Sequence, residues 1–251
     1  MQRRALVTGA SSGIGAGTAV ALAEQGYDLW LTYASSAEAA GEVAEKCREH
    51  GATVHVSRLD LRAPESIAAL TDQIEAEWGN LHVLLNNGGS CPYVDFTEIT
   101  VADWDSVLET NARGTFLMTR SALPLLRQGR RDGEDCSIVN LSSIAAEVGA
   151  IQTGMHYAAS KAAILALTRS FAKALAEERI RVNAVCPGPV TSNITNQLSD
   201  AGHESLRAGI PLGRFGTPKE VAWIITALTS PQASFVTGAT YDVNGGVRID
   251  Q

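Results

Sequence analysis

The chain has 251 residues, 45% of them hydrophobic and 19% charged, and its 20 basic and 27 acidic side chains give a net charge of −7. That composition excludes disorder, a collagen-like repeat and a disulfide miniprotein, and the negative overall field works against DNA or an anionic membrane as a partner. No apolar run approaches the ~20 residues of a membrane-spanning helix, and the basic start at residues 1–4 meets Gly9 too soon for a signal-peptide core, so a cytoplasmic location is expected.

In chain order, short apolar runs rich in β-branched residues at 5–8, 29–33, 54–59, 83–86, 138–141, 182–186 and 240–243 predict seven strands. Between them, apolar residues spaced three and four apart predict helices over 13–24, 37–50, 64–78, 104–126 and 157–177. The strands are too uniformly apolar to keep a wet face. The alternation therefore predicts an α/β fold, a Rossmann-like doubly wound seven-stranded parallel sheet with helices on both faces, formed as one domain over residues 1–251. Two stretches break the rhythm. Residues 127–135 (R-Q-G-R-R-D-G-E-D) read as a solvated turn before the fifth strand. Residues 191–216 mix Asn, Ser, Asp and Gly with Ile194, Leu198, Leu206 and Ile210, apolar side chains that either cover a ligand as a lid or cap the sheet edge. The four cysteines (Cys47, Cys91, Cys136, Cys186) and five histidines show neither C-x-x-C nor H-x-x-x-H spacing, so no disulfide framework or zinc site is expected.

Residues 6–15 read L-V-T-G-A-S-S-G-I-G: a strand, then Gly9, Gly13 and Gly15, then a helical pattern. Glycine is needed where the chain bends sharply and where backbone approaches a pyrophosphate, and the helix that follows turns its N–H groups and dipole toward the anion. The spacing G-x-x-x-G-x-G resembles the cofactor motif of the short-chain dehydrogenases/reductases. Further landmarks of that family follow in order: Asp60-Leu61, Asn86-Asn87-Gly88-Gly89, Asn111, Ser142-Ser143, Tyr157-x-x-x-Lys161 and Pro187-Gly188. One departure is visible, because the family usually shows N-N-A-G where this chain has Gly88 in third place.

The resemblance implies cofactor contacts from Gly9, Ser11, Ser12, Gly13, Ile14 and Gly15 in the first turn. It places Asp60 and Leu61 at the adenine edge, Asn87 and Gly88 along the adenosine and ribose path, and Pro187, Gly188, Val190 and Thr191 around the carboxamide. Tyr157 and Lys161, four apart on a helical pattern, share one face. A carbonyl that receives hydride at carbon must receive a proton at oxygen, and a phenol gives one more readily beside a cation. Tyr157 is thus the expected general acid in reduction and base in oxidation, its pKa lowered by Lys161 together with the oxidised nicotinamide's positive charge, and Lys161 by the resemblance also bonds the nicotinamide ribose. The resemblance assigns the substrate carbonyl to Ser143 rather than Ser142. It also assigns to Asn111 a water that relays protons through Lys161; from the residues alone, Asn111 could equally be a helix-interior amide bonded to nearby backbone.

The second strand ends Tyr33-Ala34-Ser35-Ser36, with no acid before Glu38 to repel a 2′-phosphate. Hydroxyls of Tyr33 and Ser35 could donate instead, so NADP is expected, with NAD possible, although Ser12 carries no charge. Substrate walls are expected at 89–93, 144–146, 152–156 and 189–210, including Tyr93, Gln152 and His156. The expected substrate is a small free carbonyl or secondary alcohol. The alternative is a 3-oxoacyl group on an acyl-carrier protein, whose acidic surface would meet Asp132, Glu134, Asp135, Glu177 and Glu178 beside Arg130 and Arg131. A cofactor-sensing regulator is the non-enzyme alternative, but it would have no need for the serine, tyrosine and lysine. The alanine-rich segment 157–175 is apolar around more of its circumference than one sheet face covers, and with the resemblance this predicts a homotetramer.

Overall fold

The computed structural model describes residues 2–131, 133, 135–150, 153–191 and 200–249. Its seven strands are β1 (Arg3–Val7), β2 (Tyr27–Tyr33), β3 (Val54–Arg58), β4 (Val83–Asn86), β5 (Cys136–Leu141), β6 (Ile180–Pro187) and β7 (Thr240–Val243). They form one parallel sheet in the order β3-β2-β1-β4-β5-β6-β7. Successive residues point to opposite faces, so the continuous apolar runs feed two cores. Ala5, Val7, Leu29, Leu31, Val83 and Leu85 pack under α1 (Gly13–Glu24), α2 (Ala37–Glu49) and α9 (Pro218–Thr229). Leu6, Trp30, Leu84, Ile138 and Val182 pack under α3 (Pro64–Glu77), α5 (Gly114–Arg131) and the end of α7 (Met155–Ala174). This is the expected doubly wound Rossmann-like architecture.

Two expectations need correction. The helix expected over 104–126 is divided into α4 (Val101–Leu108), a π-helical turn (Glu109–Arg113) and α5. The wider π turn carries Asn111 fully inside. Nor is 127–135 a turn throughout, because α5 continues to Arg131. The reason lies at Gly129: a methyl group there would come 2.3 Å from the Leu81 carbonyl oxygen, so this glycine serves close helix-to-strand packing rather than a bend. Asp132 and Glu134 lie outside the described residues.

The sheet order reverses between β1 and β4, and the strands' registers bring their carboxyl ends to one edge. A crevice outside that edge, at the switch point, is where open α/β sheets hold ligands. Two shorter helices flank it, α6 (Ala145–Val148) and α8 (Asp200–Ala208).

Candidate active site

One continuous cleft of about 600 Å³ runs along this edge. It is lined by Gly9, Ser11, Ser12, Gly13, Ile14, Tyr33, Ser35, Asp60, Leu61, Asn87, Gly88, Pro187, Gly188 and Val190, and at its inner end by Ser143, Tyr157 and Lys161. Gly15, Asn111 and Thr191 do not line it. Gly15 stands behind the turn, Asn111 is buried one layer back, and Thr191 is exposed, its N–H donating to the Gly216 carbonyl.

The first turn is braced from β4. Asn87 Nδ2 donates to the carbonyls of Thr8 (2.9 Å) and Gly9 (2.8 Å), and Thr8 Oγ1 accepts from the N–H groups of Asn87 and Gly88. Asn87 therefore shapes the path as well as lining it. Gly9 has φ +66°, the left-handed conformation that glycine adopts without strain. Helix α1 then begins with its N-cap Ser12 making no side-chain cap bond and with no acid in the first turn. An uncapped N-terminus facing a cleft suits a pyrophosphate: its N–H donors have no intrahelical partner and its dipole is positive.

At the outer end of the cleft, Asp60 is held below the usual carboxylate range, first by the Arg62 backbone N–H and then by the Arg62 side chain. The Gly88 departure also has a structural counterpart. A methyl group at Gly88 would sit 3.0 Å from Leu61 Cδ1 and 3.3 Å from Thr8 Oγ1, so Leu61 fills the space that an alanine would take.

At the inner end, the Ser143 hydroxyl and the Cys91 thiol stand close enough to the Tyr157 hydroxyl to influence its titration, and all three residues line the cleft. Lys161 is buried one turn along α7, its Nζ donating to the Leu141 carbonyl at 2.7 Å and lying 5.7 Å from the Tyr157 ring centroid. Ser142 turns away and donates to the Lys161 carbonyl at 2.8 Å. Burial pushes the Lys161 pKa down to about 8. The expected lowering invokes the nicotinamide's charge as well as Lys161; the protein's own groups act the other way, since burial drives the phenol well above its ordinary value, the Cys91 thiol adds to the rise, and the Ser143 hydroxyl opposes it. Desolvation of a half-buried phenol deep in the cleft outweighs an ammonium that is itself desolvated.

Asn111 Nδ2 donates to the Ser90 carbonyl (2.8 Å) and Ser160 Oγ (2.9 Å), and its Oδ1 accepts from Ser90 N–H (2.8 Å). Those partners lie on other elements, so the helix-interior alternative does not apply. The amide instead ties the loop after β4 to α7, where Ser160 Oγ donates to the Tyr157 carbonyl. Gly89 is needed here, since a methyl group would come 2.9 Å from Asn111 Oδ1.

Of the expected substrate walls, Gly89, Ser90, Cys91, Tyr93, Ile144, Ala145, Thr153, Pro189 and Leu206 line the cleft. His156 does not: its ring is fully buried beside Gly154, both nitrogens without a hydrogen bond. Gln152, Ile194 and Leu198 lie outside the described residues. The two readings of 191–216 divide between its described parts, with Leu206 facing the cleft and Ile210 buried beside Gly245. Helix α6 is anchored by Arg248, which bridges Glu147 and Asp242 at 2.9 and 3.0 Å. Three residues escaped the sequence reading as individuals: Cys91, Arg58 and Arg62. Arg58 was legible in principle as the residue that ends the third strand, two before Asp60.

A family model described as Enoyl-(Acyl carrier protein) reductase matches residues 9–248. The 3-oxoacyl-(acyl-carrier-protein) reductase FabG of Staphylococcus aureus is 38% identical over 249 residues, covering 98% of each chain. That of Aquifex aeolicus is 35% identical over 245 residues, 96% of each. Among solved structures, the Pseudomonas aeruginosa RhlG/NADP active-site complex has a TM-score of 0.91 at 30% identity, covering 98% of this chain and 96% of that one. Acetoin dehydrogenase from Enterobacter cloacae has a TM-score of 0.88 at 32% identity, with the same coverage. Sequence kinship along nearly the whole chain thus agrees with the cleft, and the chain belongs to the short-chain dehydrogenase/reductase family as an NAD(P)-dependent oxidoreductase.

Proposed function

We propose that the protein is an NADP-preferring reductase or dehydrogenase of a small free carbonyl or secondary alcohol, with Tyr157 as general acid/base. The observation that carries this reading is the convergence of Ser143, Tyr157 and Lys161 at the inner end of a cleft whose far part begins at an uncapped helix terminus. The first-turn residues Gly9, Ser11, Ser12, Gly13 and Ile14 would hold the pyrophosphate, Asp60 and Leu61 the adenine, Lys161 the ribose, and Pro187, Gly188 and Val190 the carboxamide. When bound, the nicotinamide supplies or accepts the hydride.

In reduction, Ser143 orients the carbonyl oxygen and Tyr157 donates its proton to that oxygen as negative charge develops there. A phenol, with an ordinary pKa of about 10, carries this proton at neutral pH. Lys161, one turn away, steadies the phenolate left behind, and Asn111 holds the backbone of that turn through Ser160. The absence of an acid over residues 33–36 supports NADP, as does the likeness to the RhlG/NADP complex.

Carrier-bound 3-oxoacyl groups are the second reading, favoured by the names of the relatives. Against it, Glu178 at the end of the α7 segment neutralises Arg127 through two bonds of 2.6 and 2.8 Å, weakening a basic patch for an acidic carrier. NADPH oxidation with short diketones, hydroxyketones, sugars, acetoacetyl-CoA and acetoacetyl carrier protein tests the choice. Turnover of free ketones at least about tenfold above the carrier substrate is expected, and robust turnover of the carrier substrate alone reverses the order.

We propose a cytoplasmic homotetramer. Exposed Trp104 on α4, Phe116 on α5 and Met155 on α7 support association, and no described helix is long and apolar enough to cross a membrane. Light scattering that shows a monomer at micromolar concentration would contradict this assembly.

A further inference from the structure

Among the described residues, three cations line the cleft: Lys161, Arg62 and Arg58. Two of them have fixed engagements. Lys161 is buried against the Leu141 carbonyl at the inner end, and Arg62 approaches both Asp60 oxygens at 3.4 Å. Arg58 is placed differently. It ends β3 in register with Tyr33 of β2, and its Nε donates to the Ala34 carbonyl at 3.3 Å. That bond holds the guanidinium against the short segment where β2 gives way to α2. The side chain is exposed, and among the described residues it bonds no carboxylate; Asp60 feels its charge only through space.

The geometry points to Arg58 as the residue that selects the cofactor's 2′-phosphate, an inference that rests on the NADP reading above. The segment it overlies lacks any acid before Glu38. Its Ser36 hydroxyl is engaged in capping α2, accepting from Ala39 N–H at 3.3 Å. Ser35 and the positive end of α2 can assist, but a dianion needs a counter-charge, and the first turn has none at Ser12. A guanidinium already held by one N–H presents its remaining donors as a fork that matches phosphate oxygens.

Calorimetric binding of NADPH, NADH, 2′,5′-ADP and 5′-AMP to wild type, Arg58→Ala and Arg58→Lys tests this without any substrate. The wild type should prefer NADPH over NADH by at least about tenfold. Arg58→Ala should lose roughly 10- to 100-fold toward NADPH and 2′,5′-ADP, and under about threefold toward NADH and 5′-AMP. Arg58→Lys should recover part of the loss, since a point charge replaces the fork. A wild type that binds NADH better overturns the NADP reading itself. A wild type that prefers NADPH together with an Arg58→Ala variant that keeps the preference overturns the Arg58 assignment alone. Equal loss toward all four ligands overturns it too, because the guanidinium would then be acting on the shared adenosine.

Discussion

Gly15→Ala distinguishes the geometry of the first turn from simple helix propensity, because the two predict opposite signs. Gly15 is the third residue of α1, where alanine in an open helix would add roughly 1 kcal/mol of stability. In this fold the new methyl carbon would lie 2.3 Å from the Gly9 carbonyl oxygen and 2.4 Å from Asn87 Nδ2. The first of these is backbone and cannot rotate aside. The second belongs to the amide that braces the turn through two bonds. Overpacking of this kind costs about 1–3 kcal/mol and at times more, and displacing the Asn87 amide forfeits about 1 kcal/mol for each bond weakened. A net loss of about 1–3 kcal/mol follows, or a melting point lower by roughly 2–12 °C for a chain of this size. Urea unfolding and thermal melting at fixed protein concentration measure it, and NADPH affinity should fall in parallel as the turn shifts. A Gly15→Ala protein more stable than wild type, with unchanged NADPH binding, would refute the close-packing argument.

Other consequences concern charge. Burial lowers Lys161 to about 8 from an ordinary 10.5, so between these values the unfolded chain binds more protons and stability rises with pH from about 8 upward. Tyr157 and the thiols of Cys47, Cys91 and Cys186 are raised by burial and act oppositely, but only above their ordinary values of 10.0 and 9.0. Relative to Lys161→Met, the wild-type urea midpoint should therefore climb between pH 8 and 10, and a constant difference would contradict the buried-ammonium picture. Arg181 is buried and reaches Asp135 and the carbonyls of Leu228 and Ser230 at 2.8–3.2 Å. Arg181→Ala should cost about 3–5 kcal/mol by stranding these groups, measured by equilibrium unfolding; a cost under about 1 kcal/mol would show that solvent replaces them.

The strands were legible because they are short runs rich in apolar residues, those of β4, β5 and β6 buried on both faces, and the first turn because three glycines sit between strand and helix. The spacing of Tyr157 and Lys161 told which helix face they share, but not that the face would be dry enough to raise the phenol and lower the ammonium together. What escaped the sequence depends on contacts between distant segments. Gly129 looked like a loop glycine because its partner, the Leu81 carbonyl, is far away in sequence. Arg58 acquired its place from the register of β3 on β2. His156, one residue before Tyr157, shares its helix but points about 100° away, into the interior rather than the cleft. Leu61 packs against Gly88, a contact that the four-residue motif alone does not announce.

The central claim is that Tyr157 delivers the proton. It is tested most directly by Tyr157→Phe, with single-turnover NADPH oxidation and NADPH affinity measured on the same preparation. The account predicts a rate lower by at least ~100-fold with NADPH affinity within about threefold of wild type. A rate within about threefold of wild type would contradict it.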